Sequence, residues 1–337
     1  MTSSASGSVS SVVNGPVTVG RIAIAVAILA LIAVPFVVSE IYYVNIASQV
    51  LLYAIFALGL NVLVGYAGLV SLGHAGLFGV AGYVVAYLLA AGYGHGFAIL
   101  AALAAAMVVT AGFAALALRA TGISFIMITL ALGEIIWGLA YRWISLTNGD
   151  NGISVTTRPA PFGLSLASAR GFYGATLVIF LVALIAAAIF VRSPFGAALC
   201  GTRDQPRRMN ALGYHVWMIR FGAFMFSGLL TAVAGILFVY YNEFISPQAL
   251  ALTASAEGLL MVISGGAATL LGPVVGAALV VIVKNVVSAY ITRWNFMLGA
   301  IFVAIVVFMP EGLVPGAVRL ARSAWRSGRQ GKPEPRP

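Results

Sequence analysis

The chain has 337 residues, 62% of them hydrophobic and 8% charged, with a mean hydropathy of +1.06. Soluble domains carry about 25% charged residues, so the composition excludes a water-facing globular surface and indicates a polytopic membrane protein. The net charge of +10 does not point to nucleic acid, because the arginines flank apolar runs and act as topology signals.

Residues 1–20, rich in Ser, Val and Gly, read as a disordered tail, and no cleavable secretory leader follows. Crossing the hydrocarbon core takes about 20 apolar residues of helix. On that measure Ile22 to Val38 is the first span and Ile41 to Val64 the second. A glycine-rich patch, Gly65 to Gly79, runs into a third span ending near Ala91. Phe97 to Leu118 and Ile123 to Tyr141 follow, each stopped by an arginine. The polar stretch from Ser145 to Arg170 holds the turn signals Asn148-Gly149 and Asn151-Gly152. Phe172 to Val191 and Val216 to Tyr241 are the next two spans. In the last third, Gly265-Gly266 and Gly272-Pro273 divide the apolar run, so residues 257–290 read as two shorter helices joined by a turn. Residues 295–309 form the last span. The expected fold class is all-α, a polytopic transmembrane helical bundle of about ten helices with glycine-broken members. Its transmembrane domain covers residues 21–316, and residues 317–337 form a basic, Pro-rich tail.

Arginine placement sets the orientation. With both termini cytoplasmic, Arg21, Arg119, Arg192, Arg203, Arg207, Arg208 and the tail arginines share the inner side, leaving Arg142, Arg158, Arg170 and Arg293 outside. The cytoplasmic loop 192–215 is the densest basic cluster before the tail. It is expected to hold one small helix with Asp204 as N-cap, Pro206 in the first turn and Gly213 closing it in the left-handed conformation. Two readings stay open for it: a grip for a cytoplasmic partner, or an ordinary positive-inside loop. The single cysteine, Cys200, lies in this loop and has no internal disulfide partner.

Catalytic motifs are absent. There is no Gly-x4-Gly-Lys-Ser/Thr for ATP, and His74, His95 and His215 are scattered without the spacing of a metal site. The polar residues within the apolar runs remain. Glu134, inside the fifth span, is either a functional acid or a hydrogen-bonded structural one. Glu257 is read as favouring the start of a short helix or as lining a path. Lys284 is expected to snorkel to an interface rather than pair with an acid. Asn61, Gly65, Ser71 and His74 lie in or beside the glycine patch. Unwound backbone at membrane depth survives only where it is buried in protein or lines a cavity, so the patch is either translocation path or close glycine packing.

At this point a family resemblance enters. Gly59-Leu60-Asn61-Val62-Leu63-Val64-Gly65-Tyr66-Ala67-Gly68-Leu69-Val70-Ser71-Leu72-Gly73-His74-Ala75 resembles the signature of the branched-chain amino acid ABC transporter permeases, and the longer, LivM type fits best. Thr129 to Ile136, Asn148 to Ile153, the segment from Ser193-Pro194-Phe195-Gly196 to Ala211-Leu212-Gly213, Glu257 to Gly276 and Pro310-Glu311-Gly312-Leu313 are similar to further segments of that type. The resemblance implies an importer subunit in a bacterial inner membrane. It works with a homologous permease, cytoplasmic ABC ATPases and an extracytoplasmic solute-binding protein, and ATP is bound by the partners and not by this chain. Arg203, Asp204, Gln205, Pro206, Arg207, Arg208, Ala211, Leu212 and Gly213 would then form the ATPase-coupling segment. The family's loop usually carries more acidic residues than the lone Asp204 here. The solutes implied are branched-chain or related hydrophobic amino acids, with urea, short amides or aromatic acids as the family's alternatives. A proton-coupled secondary transporter using Glu134 and a non-transporting scaffold are the competing classes.

Overall fold

The computed structural model describes residues 40–155 and 168–290, with isolated positions between 296 and 319. The N-terminal tail and first expected span, loop residues 156–167, and most of the last span and C-terminal tail lie outside the described residues.

Among the described residues, five helices are long and apolar enough to cross a membrane. The first, α1 (Ile41–Asn61), continues through a π-helical turn, Val62–Ala67. The others are α3 (His95–Ala117), α4 (Ile123–Arg142), α5 (Ala169–Arg192) and α8 (Val216–Asn242). Three shorter apolar helices among the described residues pack with them: α2 (His74–Ala90), α9 (Leu252–Gly265) and α10 (Gly272–Tyr290). The two-helix expectation for the last third therefore holds. Two further helices, α6 (Pro194–Asp204) and α7 (Pro206–Ala211), occupy the loop between α5 and α8. The described strands are β1 (Ile153–Ser154) and β2 (Phe244–Ile245), an antiparallel pair that ties the two ends of the bundle's loops together.

Burial sorts the helices into a centre and a rim. The most apolar stretch of α1 is 83% buried and that of α4 only 22%. Central α1 and α8 pack on each other, α8 also packs on α2 and α3, and α10 and α5 flank α1. Leu51, Leu52, Ile55, Leu58 and Leu60 of α1 are fully buried. In a bilayer such contacts act through dispersion and close fit rather than release of water. The rim helices leave one stripe bare. On α4 it is Ile123, Met127, Ile135 and Leu139, and on α5 Val178, Val182, Ile185 and Ile189. Both follow helical spacing, so each forms one continuous apolar face that the chain itself does not cover.

Candidate functional site

The loop between α5 and α8 is built from strong local signals. Ser193 Oγ accepts from the Gly196 amide at 3.2 Å and Pro194 opens α6, a Ser-Pro start in which the missing proline N–H is one the helix would leave free. Gln205, extended at φ −145°, separates α6 from α7, and Pro206 restarts the chain. Gly213 at φ +87° ends α7, with its amide on Asn210 O and that of Tyr214 on Met209 O. The single Asp204-capped helix expected from sequence is thus corrected to two helices. Asp204 is the last residue of the first, because Ser193-Pro194 nucleates one full turn and more upstream. Asp204, Gln205, Arg207, Arg208, Ala211 and Gly213 are exposed, as are the apolar Leu212 and, beyond it, Tyr214, Trp217 and Met218.

Arg203 points the other way. Its Nε donates to Asp204 Oδ1 at 2.8 Å, and that bond pushes the guanidinium further above its usual range, so the group stays cationic. Nη1 donates at 2.8 Å to the carbonyl oxygen of Gly65, in the π-helical turn that ends α1. The side chain's stem lies over Gly68, where φ is +69° and a Cβ would sit 2.6 Å from Arg203 Cγ. Gly68 is therefore required twice, for its conformation and for the arginine's approach. Arg220, one turn into α8, donates to Thr202 O at 2.8 Å and holds the end of α6 from the other side.

The break itself is clasped. Asn61 Oδ1 accepts from the Ala268 amide at 3.0 Å and Nδ2 donates to Thr269 O at 2.9 Å. One carboxamide thus satisfies both a donor and an acceptor of the glycine-rich turn between α9 and α10. Gly65 lies against the same turn, and a Cβ there would run into the Ala268 amide. The two glycine breaks, some 200 residues apart in the chain, meet here. Nearer the middle of the bundle His74 is fully buried, with Nδ1 2.9 Å from Ser71 Oγ and Nε2 2.9 Å from Ser227 Oγ. Ser227 Oγ donates onward to Gly59 O at 2.6 Å, which leaves it to accept from His74 Nε2. Thr129 of α4 accepts from the Leu72 amide at 3.2 Å. Within the unwound segment the amides of Gly68, Leu69, Leu72 and Gly73 all find acceptors in protein, as membrane depth favours.

Beyond this plug, on the side away from the α6–α7 loop, α1, α2, α8, α9 and α10 enclose a cavity of about 390 Å³. Its apolar wall is Tyr53, Phe56, Phe78 and Phe238, with Phe78 edge-on to both neighbouring phenylalanines. Ala75, next to His74, reaches the wall, and its amide donates to Ser255 Oγ at 3.0 Å. Glu257 and Lys284 also line it, the ammonium 3.1 and 3.2 Å from the two carboxylate oxygens. The rim carries Asn242, Gln248 and Thr253.

The family described as the branched-chain amino acid transport system permease component matches residues 42–306. The chain belongs to this family. It is 32% identical to the high-affinity branched-chain amino acid transport system permease protein LivM of Escherichia coli, and 31% identical to that of Salmonella typhimurium. Both alignments cover 84% of this chain and 72% of the relative. The autoinducer 2 import system permease protein LsrC of Salmonella typhi is 31% identical over a shorter stretch, 44% of this chain and 46% of LsrC. No solved structure matches. The chain is accordingly a membrane permease of an ABC importer, a member of a transport family.

Within the permease the residues singled out by sequence fall into three places. Asn61 and Gly65 meet at the glycine turn, and Ser71 and His74 form the buried plug; none of the four lines the large cavity. Glu257 does line it, but it is the sixth residue of α9 and so sits beyond the first turn, which corrects the helix-start reading. Lys284 pairs with it, contrary to the snorkelling expectation, because α9 and α10 fold back on one another and bring the two charges to the same depth. Glu134 lines a separate hollow of about 300 Å³ with Trp137 and Asp150, where Gln248 donates to Asp150 at 3.0 Å. Tyr53, Phe56, Phe78, Phe238 and Ser227 were not legible as site residues, since aromatic and small polar residues are ordinary in membrane helices. A lone lysine and a lone glutamate in neighbouring apolar helices were the one available signal for the ion pair.

Proposed function

We propose that this permease carries branched-chain or closely related hydrophobic amino acids inward, driven by cytoplasmic ABC ATPases. In this reading it lies in the bacterial inner membrane with both termini cytoplasmic, paired with a homologous permease. An extracytoplasmic solute-binding protein delivers the solute to the cavity side. ATP is bound by the ATPases and not by this chain. The observation that carries the coupling is the bond from Arg203, on the cytoplasmic loop, to the Gly65 carbonyl at the broken end of α1. A push on the exposed face of α6–α7 reaches the unwound segment through one rigid, planar cation. The solute class rests on the LivM proteins, named for branched-chain amino acid transport.

The test is purification of the tagged chain in mild detergent from its own host, with bound partners identified by mass spectrometry. An ATPase and a second homologous permease are expected, and a cognate binding protein that takes leucine, isoleucine and valine in preference to urea. A chain recovered alone that still moves leucine into liposomes without ATP would replace this reading with a secondary transporter.

A further inference from the structure

The cavity walled by Glu257, Lys284 and the phenylalanines is a different object from the coupling path, and its chemistry is specific. A buried ion pair is costly to desolvate in a membrane domain, and polar charges there mark function more often than fold. A purely structural pair would be sealed by packing. Here the lysine and glutamate side chains keep 34% and 19% of their surface and both face the cavity. The same cavity is lined by the aromatic rings of Phe56, Phe78 and Phe238. The volume, about 390 Å³, lies in the range of small-molecule pockets, roughly 300 to 1,000 Å³.

We infer that Glu257 and Lys284 form a transient binding site for the zwitterionic head of an aliphatic α-amino acid, whose side chain rests on the phenylalanine wall. This deepens the proposed function and rests on it. The solute's carboxylate takes Lys284 and its ammonium takes Glu257, so one ion pair opens into two and the site stays neutral throughout. When the solute moves on, the pair recloses, which leaves no orphaned charge and keeps binding weak enough for release. Urea and short amides carry no formal charge with which to separate the pair. A carboxylate or an amine alone satisfies one member of the pair and separates the other from its counter-charge in a half-buried site, which costs binding.

The experiment is saturation-transfer NMR of leucine on the complete permease–ATPase complex in nanodiscs, without the binding protein. Leucine is competed by isoleucine, 4-methylpentanoate, isopentylamine and urea. Leucine contact displaced by isoleucine, and at least ten-fold less effectively by the other three, is expected. The double variant Glu257→Gln/Lys284→Met removes both charges together and so avoids an unpaired one. It should assemble with unchanged thermal stability and lose the leucine signal by roughly ten-fold or more. Equal displacement by 4-methylpentanoate, or an undiminished signal in the assembled double variant, would overturn the site. ATP-driven leucine uptake by the same wild-type complex, measured with its binding protein, separates the two failures. Uptake without a leucine signal sinks the zwitterion site alone, and no leucine uptake sinks the proposed function with it.

Discussion

At the scale of single residues, Arg203 and Asn61 do most to explain why unwound backbone is stable at membrane depth. Arg203 supplies a charged donor to a carbonyl that a regular α-helix would have used internally. Arg203→Ala should leave ATP hydrolysis by the assembled complex in place while lowering leucine uptake per ATP at least ten-fold, of the order expected for a charge-assisted bond. Arg203→Lys should recover only part of the loss, since an ammonium is a point donor without the fork that reaches Asp204 and Gly65 together. Asn61→Leu orphans the Ala268 amide and the Thr269 carbonyl. At about 1–3 kcal/mol for each buried group left unpaired, a lower thermal midpoint of the purified complex is expected, read by fluorescence-detected size exclusion after heating. Glu134 faces a hollow shared with Asp150, and Glu134→Gln should reduce uptake at unchanged abundance in the membrane. Equal loss of both would assign the carboxylate to folding.

Among the elements, the α6–α7 pair leaves one polar and basic side exposed. Arg207 and Arg208 lie on α7 beside exposed Leu212, a basic and apolar face of the kind a docking groove takes. Charge reversal at both, Arg207→Glu/Arg208→Glu, should abolish uptake and release the ATPase from the purified complex while the permease still reaches the membrane. Retained ATPase and normal uptake would remove the coupling role. The extents of α3, α4, α5 and α8 were readable from apolar run length to within a few residues, because bilayer thickness dictates that length. The loop was not readable in the same way. Ser193-Pro194 and Asp204-Gln205-Pro206 both carry helix-start chemistry, and local sequence does not say which start nucleates first. The stripes on α4 and α5 were equally hidden, because an all-apolar helix shows no polar face to mark its buried side. Ile135→Asp, within the bare stripe of α4, should lower membrane insertion by about 2.5–3.5 kcal/mol at the helix centre, read as glycosylation-site insertion efficiency.

For the whole molecule, the arrangement is a cavity on one side, a clasped segment of broken helix at its floor, and the exposed α6–α7 loop bonded to that segment through Arg203 and Gly65. The sequence marked both glycine breaks as special, and the structure brings them together through Asn61. It offered Asn61, Gly65, Ser71, His74, Glu134 and Glu257 for a translocation path, and of these Glu257 lines the open cavity with Phe56 and Phe78, while the four residues of the glycine patch lie outside its lining. Burial is a property of three-dimensional neighbours, and residues that clasp a break look the same in sequence as residues that line one. In the proposed importer, loop motion reaches the cavity through this segment, so solute should cross only when the ATPases drive the loop. The direct measurement is leucine uptake into liposomes carrying the complete complex, with binding protein outside and either ATP or a non-hydrolysable analogue inside. Uptake that proceeds with ATP and stops with the analogue is the expected result, and leucine entry at the same rate with both would contradict it.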